Sequence, residues 1–143
     1  MLTLTLICVL ATVWVSQAAV AAEKLVRVAP RTINFGTVPV GTEVLQGATI
    51  TNVSGSDVLL LVEGGLPDDF GFGLLPGSTC PALTPGDIFA AGASCDVVVR
   101  FTPSEFFAGL RQPGTLTATL RDPTTGELLS TISIPVVGRG SKA

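Results

Sequence analysis

In the heptapeptide Cys95-Asp96-Val97-Val98-Val99-Arg100-Phe101, every second residue suits a core. Cys95, Val97, Val99 and Phe101 fall on one side of an extended chain, and Asp96, Val98 and Arg100 on the other. The same period of two recurs along most of the sequence, and no stretch sustains a helical stripe. Leu116, Ala118 and Leu120 alternate with Thr115, Thr117 and Thr119. Ile132, Ile134 and Val136 form a third set. A chain patterned this way, rich in Thr, Val, Leu and Gly and poor in Lys and Glu, favours strands over helices.

Further segments extend the pattern toward the N-terminus. Leu25 to Val28 reads as a first strand, interrupted by Pro30, as an edge position allows. Ile33-Asn34-Phe35 resumes it, and Val38 to Gly41 reads as a turn. Glu43 to Val53 forms the next strand, ending at the turn signal Asn52 to Asp57. Val58 to Val62 is a continuous apolar run suited to a central strand. Phe70, Phe72 and Leu74 alternate with Gly71 and Gly73, as in a short strand packed closely on its neighbour. Asp122 to Gly126 supplies a hairpin turn. Seven to eight strands with turns at this spacing predict an all-β, immunoglobulin-like β-sandwich; a small barrel is the alternative.

The first 22 residues differ in kind. Met1 to Ala22 carry no charged side chain, Leu2 to Val15 is a compact apolar stretch, and Ala19-Val20-Ala21 fits the small-x-small rule of signal peptidase. The expectation is a signal peptide over 1–22, although no Lys or Arg precedes its apolar core, and a sandwich domain over 23–143 in a secreted or periplasmic (cell-envelope) protein. The apolar stretch is short for a retained membrane anchor, so no membrane span is expected after cleavage. Cys8 would leave with the leader. Cys80 and Cys95 would remain as an even pair in an oxidising compartment.

Composition narrows the chemistry. The 143 residues include no His and no Tyr, and the single Trp, Trp14, lies inside the leader. A Ser-His-Asp triad is therefore excluded, and a sugar-stacking cleft is disfavoured. A Ser-Lys pair would need Lys24 or Lys142, both near chain ends. With 8 Lys+Arg against 11 Asp+Glu and no basic run, nothing suggests nucleic-acid binding. No cofactor, metal, catalytic residue or small-molecule substrate is expected. Asp68-Asp69 reads as a solvated turn rather than a calcium site, and Asn52-Val53-Ser54 is an N-glycosylation sequon, relevant only in a eukaryotic secretory pathway.

Four motifs occur in order: Ile33 to Gly41 (INFGTVPVG), Ile50-Thr51-Asn52, the span Cys80 to Pro103 ending in Phe101-Thr102-Pro103, and Ile134 to Gly140 (IPVVGRG). Together they resemble the exported bacterial immunoglobulin-like domains called choice-of-anchor D, kin of ASH, MSP and HYDIN-type domains. The resemblance spans essentially the whole chain after the leader. It departs from the pattern where Asp87 to Ala90 separate Leu83-Thr84-Pro85-Gly86 from Ala91-Gly92-Ala93-Ser94-Cys95. It departs again in the bulky Ser104 to Gly114 segment.

The resemblance implies a Cys80–Cys95 disulfide. Closing a loop of about 15 residues stabilises by roughly 3 kcal/mol in the chain-entropy model. A redox pair would have its thiols closer in sequence, and a zinc site would need further Cys or His.

One segment stands out as a candidate contact. In Glu105-Phe106-Phe107-Ala108-Gly109-Leu110 two adjacent phenylalanines cannot both point inward from an extended chain. Either they cap the open end of the sandwich, the favoured expectation, or Phe106, Phe107 and Leu110 offer a partner an apolar surface. The reading as a whole is a non-catalytic exported interaction module with protein partners. The alternatives are a periplasmic assembly factor of the pilus-chaperone type, a secretion-apparatus subunit, or a hydrolase with an acid pair.

Overall fold

The computed structural model describes residues 25–73, 75–81 and 87–142. The expected leader, its cleavage region and Cys8 lie outside the described residues.

Nine strands form among those described: β1 (Val26–Ala29), β2 (Ile33–Pro39), β3 (Val44–Asn52), β4 (Val58–Gly65), β5 (Phe70–Phe72), β6 (Asp87–Phe89), β7 (Ser94–Phe101), β8 (Arg111–Arg121) and β9 (Leu128–Ser141). They make two sheets, ordered β1-β3-β7-β5 and β2-β9-β8-β4-β6. The architecture is the predicted all-β sandwich. The ninth strand is β6, which lies within the cysteine loop where no strand was expected. Its three residues carry too little periodicity to read, and its pairing with β4 supplies the ladder that holds it.

Each inward set follows from alternation. Ala48 and Ile50 on β3, Val58, Leu60 and Val62 on β4, Cys95 to Phe101 on β7, Leu116 to Leu120 on β8, and Ile134 and Val136 on β9 are buried at every second position. Each fully buried aliphatic side chain contributes on the order of 2 kcal/mol. Phe35, Phe70 and Phe101 meet in the core, with Phe70 and Phe101 stacked at 4.4 Å. The backbone of Gly138 lies against the Phe101 ring, so close that a Cβ there would sit 2.6 Å from it.

The chain changes sheets at Pro30. β1 pairs antiparallel with β3, whereas β2 runs parallel to β9 in the opposite sheet. Strand β2 also continues through Val38 and Pro39, where a turn was predicted, because β9 offers it partners as far as Ser141. Strand β8 starts at Arg111, within the bulky Ser104 to Gly114 segment and ahead of the expected start at Thr115, paired with the long β9.

Asn52 corrects the sequon reading. Its side chain is 1% exposed. The Asn52 Nδ2 donates to the carbonyls of Ser56 (2.8 Å) and Phe89 (2.9 Å), and its Oδ1 accepts from the Ser54 N–H and hydroxyl. A buried amide nitrogen donating to two backbone carbonyls is not a glycan acceptor. It staples the β3–β4 turn to β6.

Candidate protein-contact surface

The segment joining β7 to β8 is held from both sides. Thr102 N–H donates to the Asp69 carbonyl at 2.9 Å, and Gly41 N–H to the Pro103 carbonyl at 3.0 Å. Pro103 is buried against Gly140, where an added Cβ would come within 2.6 Å of it. Beyond it, Glu105–Phe107 form one 3₁₀ turn, and Gly109 N–H closes onto the Gly140 carbonyl at 2.8 Å. Gly109 has φ +83, a left-handed conformation suited to glycine, which lets the chain reverse into β8.

The carboxylate of Asp69 is the second fastening. Its Oδ2 accepts from the Ser104 N–H (3.0 Å), the Ser104 hydroxyl (3.3 Å) and the Gln112 amide (2.8 Å). The solvated turn expected at Asp68-Asp69 is thus only half present: Asp68 is exposed, while Asp69 locks the β4–β5 turn to the β7–β8 segment. Burial alone would raise the Asp69 pKa. The hydrogen bonds donated by Ser104 and Gln112 outweigh burial and hold the carboxyl below its ordinary value. A carboxyl with a depressed folded pKa contributes stability that is present above its unfolded value and lost as pH falls through the folded one. Acid unfolding should therefore steepen below about pH 4, and Asp69→Asn should flatten that limb. Urea midpoints measured from pH 7 to pH 2.5 check this; parallel curves for the two proteins would refute it.

On this fastened segment the phenylalanines do not cap the sandwich as expected. A 3₁₀ turn, rather than an extended chain, carries them, and Phe106 is 85% exposed. Phe107 is half-buried and meets the Phe106 ring edge-on at 4.8 Å. Leu110, at 58% exposed, completes an apolar projection at the end of the sandwich.

The other predicted site pair, Cys80 and Cys95, is joined as a disulfide with Cα atoms 4.9 Å apart. It lies far along the β7 strand from the projection, and both residues are buried. Sequence reasoning missed Asp69 and Gln112 as the fastening of the contact segment. A polar Gln112 at an inward position of a strand would have been the signal, had the strand been seen to start there.

Among the described residues, no group of three or more His, Cys, Asp or Glu is placed to hold a metal ion, and no helix is long and apolar enough to cross a membrane.

No protein-family model matches the chain, and no curated protein matches it by sequence. Solved structures show its fold. The ASH/PapD-like domain 7 of human CEP192 superposes with a TM-score of 0.58 at 14% identity, covering 84% of this chain and 87% of that one. WR4, an MSP family member of Caenorhabditis elegans, gives 0.52 at 13% identity over 82% and 99%. The Escherichia coli chaperone DraB gives 0.52 at 13% identity, covering 80% of this chain and 54% of that one. The fold is the immunoglobulin-like sandwich of ASH, MSP and PapD-like domains.

Proposed function

We propose that this chain, an immunoglobulin-like sandwich of the ASH and MSP kind, is a non-catalytic module that binds protein through the projection formed by Phe106, Phe107 and Leu110. The observation carrying this reading is a largely exposed phenylalanine on a segment hydrogen-bonded to the fold on both sides. An ordered apolar anchor pays little conformational entropy on binding, which is the property of a hot-spot residue. The fold's occurrence in domains named as chaperones and MSP family members adds support. The disulfide supports a place outside the reducing cytosol, at the cell envelope or beyond it. The leader-like residues 1–22 and the choice-of-anchor D motifs agree with export.

The test is a paired capture experiment. Wild-type protein and a Phe106→Ser/Leu110→Ser variant are immobilised against the exported fraction of the source organism. Both substituted side chains are exposed, so Tm should fall by only about 2 °C. A protein retained by the wild type should be lost from the variant. An unchanged set of retained proteins, or a Tm collapse, would reject the reading.

A second reading, a periplasmic assembly factor or secretion-apparatus subunit, draws on the DraB similarity and on the open edge of β2. That edge kinks between Asn34 and Thr37 and ends in Pro39, which makes it a poor template for an added strand. This reading requires capture that survives the Phe106→Ser/Leu110→Ser change.

A further inference from the structure

The outer face of the five-stranded sheet carries an open notch of about 250 Å³ where β2, β9 and β8 lie side by side. Register places Thr37 beside Arg139, and Arg139 directly opposite Arg111, so one row crosses three strands. Both arginines are exposed, and neither guanidinium makes a salt bridge among the described residues. Like charges directly opposite on a sheet are destabilising, so this pairing costs stability unless an anion lies between the two heads.

The notch owes its shape to a bulge. Between Asn34 and Thr37, two residues of β2, Phe35 and Gly36, oppose one residue of β9. Gly36 takes φ +63 there, and its N–H donates to Asn34 Oδ1 at 2.8 Å. The extra residue turns Asn34 and Thr37, three apart, to the same face, whereas an unbroken strand would send them to opposite faces. With Asn34 Oδ1 occupied by Gly36, the amide retains its NH₂ as the group offered to a ligand. Two guanidinia, one hydroxyl and one NH₂ thus line a single recess from three strands.

We propose that this notch binds a tetrahedral oxyanion, a phosphate or sulfate group. A planar carboxylate is satisfied by one bidentate guanidinium; donors converging from three strands suit an anion with more acceptor oxygens. The group could be free in solution or displayed on a larger molecule, and the site chemistry is the same. The site does not depend on the Phe106 projection, and its test does not use it.

The experiment is a titration of the isotope-labelled protein followed by NMR. The probes are sodium phosphate, sodium sulfate and sodium acetate, each matched in ionic strength against sodium chloride. Phosphate and sulfate should give saturable shifts confined to Asn34 to Thr37, Arg111 and Val137 to Arg139. Acetate should bind about tenfold more weakly, the loss of one charge-assisted hydrogen bond. Arg111→Gln and Arg139→Gln should each weaken phosphate binding by about tenfold, and the double variant should abolish saturation. A phosphorylated sugar that competes with phosphate would assign a displayed group, and failure to compete would assign the free ion. Shifts that never saturate, that chloride reproduces, that acetate matches in strength, or that persist in the double variant would overturn the proposal.

Discussion

Phe101→Ala should destabilise the domain by about 3–5 kcal/mol, the range for truncating a fully buried aromatic. The residue is 0% exposed, ends strand β7, and lies where three structural features meet. Its ring stacks on Phe70 at 4.4 Å and tilts against Phe35 at 5.4 Å. Its other side presses on the backbone of Gly138, which has no side chain to move into a cavity. A void there would therefore stay open, because two packed sheets cannot close locally without breaking ladders on both. Chemical denaturation should show a lower midpoint with an unchanged slope, and Tm should fall by about 10 °C or more. A loss under about 1 kcal/mol would mean the ring is not the centre of the core. The reverse experiment uses the same contact. Gly138→Ala would put a Cβ 2.6 Å from a Phe101 ring atom and should destabilise by about 1–3 kcal/mol through overpacking.

Removing the disulfide should cost about 3 kcal/mol, the chain-entropy value for a loop of this length. Cys80 and Cys95 are 15 positions apart and both buried. The bridge stands where the chain leaves one sheet for the other. Just before it, Thr79 and Cys80 N–H groups both donate to the Asp96 carbonyl on β7 of the first sheet. Just after it, Val62 N–H donates to the Pro81 carbonyl, and β6 joins β4 in the second sheet. Among its described residues, the crossing segment has only the three residues of β6 as ladder, so the covalent tie adds to a short pairing. Cys80→Ala/Cys95→Ala should lower the denaturation free energy by about this amount. Hydrogen exchange should quicken first at Asp87 to Phe89, then elsewhere. Uniform quickening across all strands would show that the loop has no local stability of its own.

The core is largely legible in the sequence. Alternation told which of Cys95 to Phe101, Leu116 to Leu120 and Ile132 to Val136 face inward, because a strand sends successive side chains to opposite sides whatever it pairs with. The family resemblance supplied the cysteine pairing. The candidate contact residues stood out because one extended face cannot bury two adjacent aromatics, but the segment is not extended. Their expected role as a cap failed, because a 3₁₀ turn formed instead. That turn depends on Asp69, Gly41 and Gly140, residues 36, 64 and 35 positions from Glu105 by the numbering.

Local sequence, then, determined the strands other than β6, their facing and the turn at Asp122, all of which follow from the geometry of a few neighbouring residues. Tertiary structure alone decided which sheet each strand joined, the parallel seating of β2 on β9, the existence of β6, and the burial of Asn52. It also decided the meeting of Arg111 with Arg139. Each of these rests on a register between segments distant in the chain, and a one-residue shift in any register would turn the same side chains to the opposite face.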